Sequence, residues 1–138
     1  NNYGPKLVAP SQRKGIRGGV LDENQYLSDW VHYPLALSAQ QLQMIDFNKA
    51  VIADTPTFFQ TMIHLDQPAS TFLDCRHFGK GVVFVNGHNM GRYWQIGPVR
   101  HLYIPDYFWQ KGDNEVIVFD TEGTRITHLV FSEEPIFV

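Results

Sequence analysis

At 138 residues and 15.9 kDa the chain is one domain, or one domain plus an arm, and its formal net charge of −3 offers nucleic acid or an anionic membrane no basic surface. No apolar run nears the roughly 20 residues of a membrane helix, and the single cysteine, Cys75, excludes an internal disulfide framework. Aromatic residues make up 14% of the chain, a load of rings that suits two sheets stacked about 10 Å apart.

The chain begins Asn1-Asn2-Tyr3-Gly4-Pro5, with no initiator Met and no basic or apolar leader, and reads as a piece of a longer protein. Its compartment is therefore left open, the balance falling to the cytoplasm. Residues 1–19 are rich in Gly, Pro and basic side chains and are expected to be loop with one or two short edge strands. Val20-Leu21 and 25–27 flank a tight turn at Asp22-Glu23-Asn24. Residues 30–37 alternate imperfectly around Pro34, which predicts an edge or bent strand.

Ser38 is a good N-cap before a run of helix formers, so residues 38–45 are the best helix candidate. After Thr55-Pro56, residues 57–65 predict a long strand. Phe59, Thr61, Ile63 and Leu65 share its core face, and Phe58, Gln60, Met62 and His64 the other. A turn at 67–70 leads to a strand at 71–74. Residues 82–85 are apolar on both faces, which places that strand centrally in a sheet. Asn86-Gly87 supplies the positive φ angles of a two-residue hairpin turn, and an aromatic-rich strand returns from it. Strands are expected at 100–104, 114–120 and 125–131, with a single helical turn at 106–110. The pattern predicts an all-β fold, an antiparallel β-sandwich or jelly roll with at most one or two short helices.

No residue pattern announces catalysis. Glycoside hydrolysis needs two carboxyl groups about 5 Å apart when configuration is retained. The five glutamates, at 23, 115, 122, 133 and 134, read as turn and edge residues outside any apolar pocket. The six histidines lack ligand-like spacing, so no metal, cofactor or catalytic residue is assigned. His88 and His101 are expected at the surface or in turns. Cys75 reads as a buried small hydrophobe. The candidates that remain are Asn89, Arg92, Tyr93 and Trp94 on the return strand. They could contact a carbohydrate, through ring faces and hydrogen-bonding groups, or a neighbouring domain.

Three ordered blocks carry a resemblance: Asn2-Tyr3-Gly4-Pro5-Lys6-Leu7; Leu27-Ser28-Asp29-Trp30 with Tyr33-Pro34-Leu35; and the stretch from Thr71 to Asp120. The last contains Lys80-Gly81-Val82-Val83-Phe84-Val85-Asn86-Gly87, Gly91-Arg92-Tyr93-Trp94 and Gly97-Pro98. Together they resemble the C-terminal β-domain, galactose-binding-like in fold, of β-galactosidases of glycoside hydrolase family 35. The resemblance implies a parent enzyme with a (β/α)₈ barrel that hydrolyses terminal non-reducing β-D-galactose residues with two glutamates, neither of which has a counterpart here. It also implies that residues 1–28 are an arm or tail of a preceding β-domain, extending to about 54 at most, and that 29–138 form the last jelly roll. The expected role is that of a non-catalytic accessory domain packed on the barrel and a neighbouring β-domain of the same parent chain. A carbohydrate-binding module recognising galactosides is the alternative, and a metal-dependent sandwich enzyme the remotest reading.

Overall fold

The computed structural model describes residues 19–31, 33, 36–52 and 54–135, so the expectation for residues 1–18 lies outside it. The chain divides into two compact units, Asn1–Leu35 and Ala36–Val138. In the first unit β1 (Val20–Asp22) and β2 (Gln25–Leu27) pair as an antiparallel hairpin. Glu23, at φ 51°, turns the chain between them, and the Trp30 indole donates to the Leu27 carbonyl at 3.0 Å. No strand forms over the described residues of 30–37. Asp29 and Leu37, at φ 63° and 50°, interrupt extended backbone on either side of that run.

The second unit is a sandwich of two antiparallel sheets. One has the order β3 (Thr57–Leu65), β8 (Gly112–Asp120), β5 (Lys80–Val85), β6 (His88–Trp94). The other has the order β7 (His101–Ile104), β4 (Thr71–Asp74), β9 (Phe131–Ser132). The β5–β6 hairpin follows from its turn: Asn86 and Gly87 have φ 48° and 79°, and both conformations are open to Asn-Gly at little cost. Since β5 lies between β8 and β6, its two-sided apolarity is explained. Pairing of Phe59 with Val118 and Thr61 with Val116 puts the expected face of β3 inward. Phe59, Ile63 and Leu65 pack there against a core that includes Leu73, Val83, Val85, Tyr93, Ile104, Val116 and Val118.

A smaller core lies on the outer side of the four-stranded sheet. Helix α1 (Ala39–Leu42) starts in a full capping box, with the Gln41 amide donating to the Ser38 hydroxyl at 3.3 Å and Ser38 N–H donating to Gln41 Oε1 at 3.0 Å. The helix is only one turn, shorter than the expected 38–45. Ile45 and Phe47 leave its axis to join Leu42, Phe84, Ile117 and Phe58 over the sheet. A 3-10 turn at Asp106–Phe108 matches the expected helical turn.

The expected strand at 125–131 is not formed. Phe131–Ser132 pair with β4 and the Val130 carbonyl accepts from Asp74 N–H at 2.9 Å, but 125–130 otherwise run as irregular chain. Its alternating pattern is real, but among the described residues the pairing with β4 does not extend past Val130 towards 125, and an isolated run of alternating residues gains little by being extended. His101 corrects a second expectation. Its imidazole is nine-tenths buried opposite Asp74 across the β4–β7 pair and is not a surface group.

Two polar clusters fasten the sandwich. Asn86 Nδ2 donates to Phe108 O and to Asn114 Oδ1, both at 2.8 Å, while Asn86 Oδ1 accepts from Glu115 N–H at 3.0 Å. Asn114, wholly buried, also accepts from Gln110 N–H and donates to Gln110 O and Gly112 O. Asp120, equally buried, accepts four hydrogen bonds: from Gly79 N–H (2.9 Å), Tyr93 O–H (2.8 Å), Glu122 N–H (3.0 Å) and Thr124 N–H (3.1 Å). Position 81 must be glycine for this geometry. A Cβ there would run into the Phe119 carbonyl and lie 2.6 Å from the Tyr93 hydroxyl.

Candidate functional site

Strand parity and one bulge decide where the four sequence candidates go. Neighbours in a strand face opposite sides, so Tyr93 cannot join Arg92 and Trp94. Tyr93 is 0% exposed: its ring packs edge-on to Phe78 and burial raises its hydroxyl pKa, with the Asp120 hydrogen bond adding to the effect. It is a core residue. Between Val83 and Phe84 the register shifts, so that Phe84 pairs with Asn89 while Val83 pairs with Gly91. That bulge brings Asn89 onto the same outer face as Arg92 and Trp94, along the free edge of the four-stranded sheet.

The three differ in what they can offer. Asn89 Oδ1 already accepts from Gly91 N–H at 2.8 Å, which holds the bulge and leaves the amide nitrogen for a ligand. Arg92 is exposed. The Trp94 ring is half-buried, with the Lys80 ammonium 4.7 Å from its centroid. An exposed guanidinium, an amide and an indole already partnered by a cation make a polar strip beside the smaller core.

The large concavity is elsewhere. A cleft of about 780 Å³ opens at the β3 side of the sandwich, a volume in the range of ligand pockets. Phe59, Thr61 and Ile63 of β3 form one wall and Ile126, Leu129 and Phe131 the other, with core residues Val116 and Val118 at the bottom. Residues of 45–52 and 55–57 also line it, and nothing in the sequence announced a cleft assembled from segments so far apart.

The two buried carboxylates among the described residues, Asp74 and Asp120, line neither this cleft nor the polar strip. Asp74 Oδ2 accepts from Arg76 Nη2 at 2.7 Å, and Oδ1 accepts from the Arg76 amide at 3.0 Å. The guanidinium hydrogen bonds outweigh the desolvation and hold its pKa at about 2. His101 Nε2 lies 3.6 Å from Asp74 Oδ1, buried and without a hydrogen-bond partner among the described residues. Asp120 is committed to its four donors. Burial pushes the Cys75 thiol up to about 12, so it is no nucleophile near neutral pH. Among the described residues no group of three or more His, Cys, Asp or Glu could hold a metal ion.

Comparison with known proteins fits this geometry. Residues 56–114, from the approach to β3 into β8, match the family described as "Beta-galactosidase, galactose-binding domain". Over 99% of its length the chain is 41% identical to "Beta-galactosidase 1" of Dictyostelium discoideum, covering 21% of that protein. It is 37% identical over 97% of its length to "Beta-galactosidase-1-like protein 2" of Homo sapiens, again 21% of that protein. A "Beta-galactosidase" of Xanthomonas manihotis is 36% identical over 75% of the chain, 17% of its own length. The chain thus spans about a fifth of the curated relatives it matches. It is similar, over nearly its whole length, to a domain-sized part of β-galactosidases, and within it residues 56–114 match the model of their galactose-binding domain.

Proposed function

We propose that this chain is the non-catalytic, C-terminal accessory domain of a β-galactosidase that removes terminal non-reducing β-D-galactose residues, and that it packs against the catalytic barrel and a neighbouring β-domain of the same polypeptide. The observation that carries the reading is the likeness of the chain, as a fifth of their length, to β-galactosidases through a galactose-binding-domain segment. The structure is compatible with it: the buried carboxylates described are consumed by scaffold hydrogen bonds and none faces the cleft. The domain division expected from sequence, with 1–28 as an arm and 29–138 as the last jelly roll, is part of the same proposal. The longer protein should hydrolyse a nitrophenyl β-galactoside while the 138-residue chain does not. Turnover by the isolated chain at the longer protein's rate ends this reading.

A second reading, a carbohydrate-binding module for galactosides, draws on the family's printed description and on the strip of Asn89, Arg92 and Trp94. Calorimetric titration with galactose and lactose separates the two. Saturable heat that Trp94→Ala abolishes favours sugar binding, and its absence favours the structural role. The Lys80 ammonium on the indole leads us to prefer the structural role.

A further inference from the structure

Among the described residues the two sheets of the sandwich are unequal. Its four-stranded sheet faces a sheet of three, and the shortfall has a definite place. At one side β6 leads directly into β7, Trp94 N–H donates to Val99 O at 3.1 Å, and the two sheets close against each other. At the other side stand two edges, β3 and the two-residue β9. Opposite the inward face of β3 the described residues offer only the irregular run that ends in β9. The cleft of about 780 Å³ occupies this place.

Its surfaces mix apolar side chains with polar ones, Lys49, Gln60 and His128 among them, and the apolar part is continuous with the core. Val116 and Val118 at its bottom belong to the main core, and Phe59, Ile63, Ile126 and Phe131 around it are only partly buried. Among the described residues β3 has no backbone partner other than β8, and β9 none other than β4. Unpaired strand edges bordering an apolar slot are the two requirements for β-strand addition: main-chain groups bind the incoming strand, and alternate side chains enter the slot.

We infer that this cleft receives an extended strand from another domain of the same longer polypeptide, pairing beside β9 and facing β3, and completing a four-on-four sandwich. The inference rests on the proposed reading of the chain as one domain of a β-galactosidase, whose relatives hold about four-fifths of their length outside the matched region. That remainder is the source to which we assign the strand. It would be apolar at every second position, to meet Phe59 and Ile63 on one side and Phe131 on the other.

The test places a cysteine at Thr61, exposed on the β3 wall, and compares its alkylation in the isolated chain with that in the longer protein, read at that position by peptide mapping. Thr61→Cys should react freely in the isolated chain and at least about ten-fold more slowly in the longer protein. A photo-cross-linker at the same position should join an extended segment outside residues 1–138. Thr127→Cys, on the opposite wall, repeats the measurement should the first variant not fold. Equal reactivity in the two proteins overturns the inference, as does a cross-link to residues 1–138 or to a second copy. Galactosidase assay of the same longer protein keeps the premises apart. Activity with an unprotected thiol refutes the strand alone, and a protected thiol without activity refutes the parent enzyme alone.

Discussion

Replacing Asp120 by Ala is the perturbation with the largest consequence. The side chain is wholly buried and accepts from four donors at 2.8 to 3.1 Å. The donors are not equal. Glu122 and Thr124 lie in an accessible turn, where water can replace the carboxylate, but Gly79 and Tyr93 are buried. The cost therefore falls mainly on the Gly79 N–H and the Tyr93 hydroxyl. The hydroxyl has only a long alternative acceptor, Phe119 O at 3.3 Å. At about 1.5–3 kcal/mol for each buried bond to a charged group, we expect a loss of about 3–5 kcal/mol. For a domain near 100 residues that lowers Tm by on the order of 15–25 °C. Urea denaturation gives the free energy and calorimetry the Tm. Tyr93→Phe should cost about 1–2 kcal/mol, and the double variant should cost less than the sum of the two, because each single change already breaks the shared bond. A loss below about 1 kcal/mol for Asp120→Ala, or strict additivity, would refute the reasoning.

Asn114→Ala removes a residue that makes four hydrogen bonds at 2.8–2.9 Å between the hairpin tip, the 110 loop and the start of β8. It should cost about 3–4 kcal/mol by urea denaturation, with faster amide exchange at Asn86 and Glu115. Asp74 has a folded pKa near 2 against 3.8 unperturbed. Its ionised form is thus favoured by folding, and the stabilisation is present above about pH 4 and lost as pH falls towards 2. Discounted for the partial exposure of Arg76, this is about 1–2 kcal/mol. It should appear as the difference in acid slope between the native chain and Asp74→Asn, and parallel slopes would contradict it. Cys75, fully buried with its pKa near 12, should stay unreactive to an aromatic disulfide at pH 8 and become fully reactive in urea; reaction without denaturant would show the core to be open.

How far the sequence could be read depended on whether a local rule or a distant contact decides. Asn86-Gly87 needs positive φ at two successive positions, a requirement that few dipeptides meet, so the hairpin was legible from two letters. The face of β3 was legible because one side of the alternation carries Phe59, Ile63 and Leu65, interrupted only by Thr61. Ser38 announced the helix start, but the stop was set by Ile45 and Phe47 turning onto the sheet, a tertiary event with no local signal. The bulge that regroups Asn89 with Arg92 and Trp94 was invisible, and alternation alone, had it been applied strictly, would have withdrawn Tyr93. Residues 125–131 have a strand's composition, but only Val130 and Phe131 reach a described strand, β4. His101 is buried because β4 sets Asp74 opposite it, a pairing that joins positions 27 residues apart.

The lock between Asn86 and Asn114 bears on how this chain should be classified. Asn86, Gly87 and Asn114, with Gly81 and Tyr93, sit within the stretch by which the chain resembles its relatives, and each is occupied in holding one part of the scaffold to another. Likeness at these positions therefore transmits architecture and is silent about ligand choice. A descendant that had lost every trace of sugar affinity could keep all five residues and still carry the same family label.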